Sequence, residues 1–514
     1  MVNVPSYHVE NFGCRATQAD GAALERQFET LGLARSTAVH ADLVVLNTCT
    51  VTNAADQDAR AAIRRVRRQN PLAKIIVTGC YAQRAPQEIA ALPGVSAVIG
   101  NSHKHQLAEI VLPNLTTNRE GHDFGRAANA PPSMPALAVE VDRVGTSKAF
   151  LPLSALTENR ELRTENWVFV SDIFAHTELL AAPVFESASN FTENARTRPN
   201  LKVQDGCDNR CSFCVIPSVR GHSRSLPLRQ IVREVNTLVA AGYRELVISG
   251  INLGRWGRDL DLGPPTSDLG NSTTQEAQGS RSEVRSPNFE SLIRTILAET
   301  QLEKLRISSV EPMDWTDDLI ALVASSPRIA KHAHVPLQSA SDAALRRMHR
   351  KYRPWHYREK IEKIRAAMPT AAIGADVMAG FPGETDAEFE ATRRLIEELP
   401  FTYLHVFTYS ARPGTPAAAM PNQVPIHVAR ERNKIVRDLA AEKKLAFMRS
   451  FVGKSLECIT LNVVHGSPGG ELTEALTDNY QKLYLTGRHV PNRWITAHVE
   501  EMRDGAFVGR VHSR

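Results

Sequence analysis

The sequence predicts an α/β protein in three parts, two built on parallel sheets and a third that is a small β-barrel at the tail. Three observations carry this. Apolar strands alternate with helically spaced segments over the first hundred residues. The same alternation returns from about residue 196, after a long irregular stretch. The last sixty residues are short strands with turn signals between them. Strand–helix alternation implies right-handed crossovers and parallel strands covered by helices, whereas short strands broken by turns favour a closed barrel. A chain of 514 residues also needs more than one core, because domains run to about 100–200 residues.

Each element has a local reason. Residues 7–12, 43–47 (LVVLN), 74–78 (KIIVT) and 95–99 read as strands. Residues 19–31 place Leu24, Phe28 and Leu31 on one helical face, and 53–69 and 86–92 are further helices. These elements make a first domain over 3–114. Residues 115–192 mix polar loops with short apolar pieces such as 167–170, and are expected to be a linker or insertion. A second domain spans 193–443. Its strands are LVISG, KLRISSV, HVPLQ, GADVMAGF and YLHVFTYS, and its helices include 228–241 and 386–398. Residues 258–288 are rich in Gly, Ser, Thr, Pro and Gln. Such a segment buries too little apolar surface to order itself, so a flexible surface insertion is expected there. A helix over 428–451 leads into the barrel, 446–514.

Composition excludes some classes. With 42% hydrophobic and 23% charged residues, the chain as a whole is neither disordered nor fibrous. No apolar run reaches the ~18–20 residues of a membrane-spanning helix. Residues 1–10 show no basic region followed by an apolar core, so no secretory signal and a cytoplasmic location are expected. The formal charge of +5 is only a mild pointer to an anionic partner.

Seven cysteines are too few for a disulfide scaffold, and grouped cysteines in such a chain more often bind metal or react. Cys207, Cys211 and Cys214 form C-x3-C-x2-C in DGCDNRCSFCVIP, just after a strand. Three thiolates on one loop can hold three irons of a cubane and leave the fourth open, since full ligation takes four cysteines. The alternative is a structural zinc ion with a distant fourth ligand. Zinc sites usually pair two C-x2-C units, and no second pair or His pair stands nearby. Cys14, Cys49 and Cys80 each follow the end of a strand: ENFGC, VLNTC and IVTGC. Strand carboxyl ends share one edge of a parallel sheet, where ligands bind, so these three are expected to meet in space. The alternative is three buried structural thiols. Cys458, alone in an apolar strand, reads as a core residue.

With its cysteine loop opening an α/β domain, the sequence resembles the radical S-adenosylmethionine (SAM) enzymes. The NTC and TGC contexts and TDNYQK in the tail make it similar to their methylthiotransferase family. Further shared motifs are SGIN (249–252), SSVEP (308–312), VPLQSAS (335–341) and GFPGET (380–385). The last is also like a phosphate loop, but no Gly-Lys-Ser/Thr follows it. The resemblance covers about 400 residues, all but the two insertions. NTCTVTN and TGCYAQ are most similar to the branch that acts on threonylcarbamoyladenosine, rather than those acting on isopentenyladenosine in tRNA or on a ribosomal-protein aspartate. One departure is Thr17, where the family often has Asn three residues after the first cysteine.

This resemblance implies a methylthiotransferase N-terminal domain, a radical SAM partial (β/α) barrel and a TRAM barrel that binds RNA. It implies two 4Fe–4S clusters, one on Cys207, Cys211 and Cys214 that cleaves SAM, and one on Cys14, Cys49 and Cys80 that carries sulfur. It implies methylthiolation of tRNA at position 37 and an electron donor such as a flavodoxin or ferredoxin. Radical chemistry suits the target, because an aromatic carbon–hydrogen bond offers nothing to a side-chain acid or base. Gly250, Ser309, Glu311, Gln338 and Asp376, read as strand ends at the barrel mouth, are candidates to hold SAM, with turn and cap residues as the plainer reading. For RNA the candidates are Arg64, Arg65 and Arg68 in RAAIRRVRR, Arg350 in RRMHRKYR, and Lys482 beside Tyr480 and Tyr484. The plainer reading is a solvated helix face or a half-buried strand. A non-catalytic, zinc-containing RNA-binding protein is the alternative of a different class.

Overall fold

The computed structural model describes residues 4–112, 137–139, 150–152, 167–180, 198–260, 287–466 and 470–512. The rest of the expected linker, and 261–286 of the expected insertion, lie outside the described residues. The chain divides into two compact units. One comprises Met1–Phe12, Leu24–Thr50 and Ala55–Ile173; the other comprises Gly13–Ala23, Val51–Ala54 and Phe174–Arg514.

The first unit holds a parallel sheet. Its strands are β1 (Ser6–Asn11), β2 (Ala34–Arg35), β3 (Leu43–Thr48), β4 (Lys74–Gly79) and β5 (Val95–Gly100). The short strands β6 (Leu137–Val139) and β7 (Phe150–Pro152) pair antiparallel with each other. The sheet is completed by β8 (Trp167–Phe169), giving the order β2-β1-β3-β4-β5-β8. All six residues of β3 are buried, as the centre of a sheet covered on both faces requires. Val44, Leu46, Ile63, Val66, Ile75, Val77 and Val98 share its core. The strand β8 comes from inside the expected linker: Ala97–Ile99 register with Trp167–Phe169. Three residues are too few for strand periodicity to show in the sequence.

The second unit carries two sheets and a barrel. Strands β9 (Asn200–Asp205), β10 (Arg224–Ser225), β11 (Glu245–Gly250) and β12 (Lys304–Ile307) order as β10-β9-β11-β12. Strands β13 (His332–His334), β14 (Ala372–Ala379) and β15 (Tyr403–Thr408) follow in parallel. Parallel bridges from Leu305 to Ile329 and from Ser309 to His334 join the two sheets. Among the described residues of these two sheets only β10 runs antiparallel, and the other six strands form a partial barrel. Side chains alternate along them. Leu201, Val203, Leu246, Ile248, Leu305, Ile307, Ala333, Ile373 and Ala375 enter the core under the helices. The intervening residues Lys202, Gln204, Arg306, His332 and His334 are buried and polar, and line the interior. GFPGET runs into the helix Asp386–Glu398, whose capping box is Thr385 with Glu388, so this motif starts a helix.

The tail strands β16 (Ser455–Gly466), β17 (Gly470–Thr477), β18 (Lys482–Thr486), β19 (Trp494–Arg503) and β20 (Ala506–Val511) close a barrel in the order β16-β17-β18-β20-β19. Cys458 lies in its core with Leu483, Val499 and Phe507. Among the described residues no helix is long and apolar enough to cross a membrane.

Candidate metal centre and active site

β9 ends at Asp205, and the chain turns through Gly206 with φ +69. A Cβ there would meet the carbonyl of His222 at 1.8 Å, so only glycine fits. The cysteine loop follows. It is tied down by Ser212, whose N–H donates to Met348 O (3.1 Å) and whose hydroxyl donates to Arg347 O (2.7 Å). Donors point at two of its sulfurs. The Asn209 N–H and Asn252 Nδ2 reach Cys207 Sγ at 3.4 and 3.6 Å, and Arg350 Nη1 reaches Cys211 Sγ at 3.3 Å. Burial pushes the Cys214 thiol up to about 12 and raises that of Cys207. Phe213 packs edge-on against Phe381, with ring centroids 6.3 Å apart.

Among the described residues no three His, Cys, Asp or Glu side chains converge as a ready ion site. What fits an iron–sulfur cluster is the donor set: thiols alone on one loop, with N–H groups aimed at sulfur, an arrangement that stabilises cluster-bound thiolate.

The five SAM candidates all lie in this unit. Gly250 ends β11, and a Cβ there would press on Gln204 Oε1 at 2.9 Å. Ser309 and Gln338 follow β12 and β13 and make bridges to His334 and Val377; Gln338 is left-handed, φ 61. Glu311 pairs with Arg350. Asp376 corrects its expected position. It lies in the middle of β14, not at its end, and faces His334 Nε2 at 3.2 Å.

The other three cysteines are distributed between the units. In the first, Cys49 follows β3 and Cys80 follows β4, and both are buried. Gly79, with φ +100, lets these strand ends approach: a Cβ would lie 2.3 Å from Thr48 O. Asn101 Nδ2 donates to Cys80 Sγ at 3.6 Å. In the second unit, Cys14 is exposed, and the hydroxyl of the departing residue Thr17 lies 3.5 Å from its sulfur. Thr17 thus supplies a polar contact to Cys14 at the position where Asn was expected.

The RNA candidates fare unevenly. Arg64 and Arg68 are exposed on the helix Asn53–Gln69. Arg65 is held by Glu10 at 2.5 Å. Arg350 is corrected: it is buried, bound to Glu311 and Cys211, and presents no charge to a nucleic acid. Lys482 pairs with Glu474 at 2.8 Å and lies over the Tyr484 ring at 4.8 Å. Tyr480 turns inward rather than outward. Its ring packs on His332 (4.9 Å) and under Arg306 (5.2 Å), and its hydroxyl accepts from Arg15 Nη2 at 3.3 Å.

Sequence reading missed the barrel's polar interior. Lys202 and Arg220 pair with Asp20 and Asp205, and Arg306 Nε donates to Glu245 at 2.7 Å. The signal was present as polar residues at every second place in NLKVQD, KLRI and HAH.

Comparison with known proteins places this geometry. Residues 6–100 match Uncharacterized protein family UPF0004, and 201–396 match the Radical SAM superfamily. The threonylcarbamoyladenosine tRNA methylthiotransferase MtaB of Bacillus subtilis is 32% identical over 92% of this chain and 89% of its own. That of Rickettsia prowazekii is 33% identical over 90% and 89%. A tRNA-2-methylthio-N(6)-dimethylallyladenosine synthase of Novosphingobium aromaticivorans is 32% identical over 88% and 86%. With the cysteine loop opening a partial barrel, a parallel-sheet domain before it and a closed barrel after it, this chain belongs to the radical SAM methylthiotransferase family.

Proposed function

We propose that the protein converts N6-threonylcarbamoyladenosine at position 37 of tRNA to its 2-methylthio form. The observation that carries this is the similarity to MtaB proteins over nearly the whole chain. The NTCTVTN and TGCYAQ sequences support the same branch. A second reading, dimethylallyladenosine as substrate, is favoured by the relative of that name at similar identity.

In this reading Cys207, Cys211 and Cys214 hold one 4Fe–4S cluster, and Cys14, Cys49 and Cys80 hold another. When bound, the first with SAM supplies a carbon radical and the second supplies sulfur. The protein's own residues bind and orient. The Asn252 and Arg350 donors brace the first set of thiolates, and Asn101 braces Cys80. Gly250, Ser309, Glu311 and Gln338 offer backbone and side-chain contacts to SAM around the barrel mouth. The match to the radical SAM superfamily over the loop favours iron–sulfur over structural zinc.

The test is mass spectrometry of tRNA nucleosides from cells lacking the gene, with and without its restoration. Methylthio-threonylcarbamoyladenosine should appear only with the gene. If methylthio-isopentenyladenosine follows the gene instead, the substrate assignment fails and the reaction class stands.

A further inference from the structure

The helix Ile426–Arg449 packs against β15, and between them runs a groove of two adjoining cavities, about 410 and 370 Å³. Arg430, Lys434 and Arg437 line the first; Arg437, Lys444, Tyr403, His405 and Tyr480 line the second. At about 3.6 residues per turn, positions 430, 434, 437 and 444 fall on one stripe of the helix, spanning roughly 20 Å. Among the described residues the one carboxylate in the lining is Asp438, which pairs with Lys434 at 2.8 Å. Arg430, Arg437 and Lys444 are exposed and make no ion pair among the described residues.

The groove leads somewhere. β15 is the last strand of its sheet, with an open edge among the described residues. Tyr403 opens the strand, and its hydroxyl lies 2.7 Å from His332 Nε2 and 3.1 Å from His334 Nδ1 in the barrel interior. Unneutralised cations in a row beside the exposed ring of His405 are the elements of a single-strand nucleic-acid groove: charge tracks the backbone and a ring stacks on a base.

We propose that this groove seats the RNA strand flanking the target nucleotide, with phosphates on Arg430, Arg437 and Lys444 and a base against the exposed ring of His405. The proposal rests on the tRNA reading above. The test compares full-length holoprotein with R430A/R437A/K444A, measuring affinity for an anticodon stem-loop RNA by fluorescence anisotropy across salt concentrations. Thermal midpoint and iron content report that the variant is folded. Loss of three single-strand phosphate contacts should lower the slope of log K against log salt by about 2, and affinity by about tenfold or more at low salt. R430K/R437K, which keeps the charge, should retain the wild-type slope. If the wild type binds RNA and the alanine variant binds it with the same slope, or if only R64A/R68A lowers the slope, the groove assignment is overturned while the tRNA reading stands. If the wild type binds no RNA, the tRNA reading itself fails.

Discussion

A Cβ at position 79 would lie 2.3 Å from Thr48 O and 2.7 Å from Thr48 N, on a backbone with φ +100. Both the contact and the dihedral oppose any other residue, so Gly79→Ala should destabilise the protein by about 1–3 kcal/mol. Thermal melting checks this, and iron content should fall as well, because Cys49 and Cys80 flank the displaced backbone. The glycine before Cys80 stands at a strand end in IVTGC. Its close approach to β3 was not legible in the sequence, because that neighbour is thirty-one residues away in the chain. Arg350 shows the same limit. Its place in RRMHRKYR suggests a solvated cation, yet Glu311 and Cys211 hold it in the interior.

Among elements, the segment Gly13–Ala23 and β9 are joined by a buried network. Asp20, Lys202, Asp205 and Arg220 are each under a tenth exposed, and Lys202 and Arg220 each contact both carboxylates. Asp20→Asn removes one partner and leaves buried cation behind, so it should cost about 3–5 kcal/mol, read from denaturant midpoints. The network also sets an acid limit. Burial alone would raise the Asp205 pKa, but Arg220 and Lys202 outweigh it and hold it well below the ordinary carboxylate value. A depressed folded-state pKa adds stability that is present above the unfolded value, about 4, and is lost as pH falls through the folded one. Melting temperature should therefore drop below about pH 4, and less steeply in Asp205→Asn measured against its own neutral-pH value. An unchanged acid slope in that variant would remove Asp205 as a cause. The pairings of Asp20 were not legible beforehand, because it stands 182 residues from Lys202 and 200 from Arg220.

At the scale of the whole molecule, the two cysteine triads predict separable losses. Wild-type protein purified without oxygen should carry about eight irons, two cubanes' worth. Alanine at Cys207, Cys211 and Cys214 should leave about four and abolish SAM cleavage. Alanine at Cys14, Cys49 and Cys80 should also leave about four, retain SAM cleavage and yield no methylthio product. Iron assay with chromatography of 5′-deoxyadenosine distinguishes the two. Full iron content in either variant would refute that triad as a ligand set. Cys458 is outside this scheme, since it lies in the tail-barrel core with its thiol pushed up to about 12 by burial.

Local pattern alone determined the three-part architecture, the cysteine loop after β9, the strand-end positions of Cys49 and Cys80, and the closed tail barrel. These follow from periodicity and spacing, which act over a few residues. Only the tertiary structure decided that Trp167–Phe169 completes the first sheet, that Tyr480 points toward His332 and Arg306, that Arg350 is interior, and that Arg430, Arg437 and Lys444 line a groove beside β15. The reason is physical. Burial repeats along a chain and leaves a period to read, but a charge or a ring takes its role from whichever distant residue the fold brings beside it.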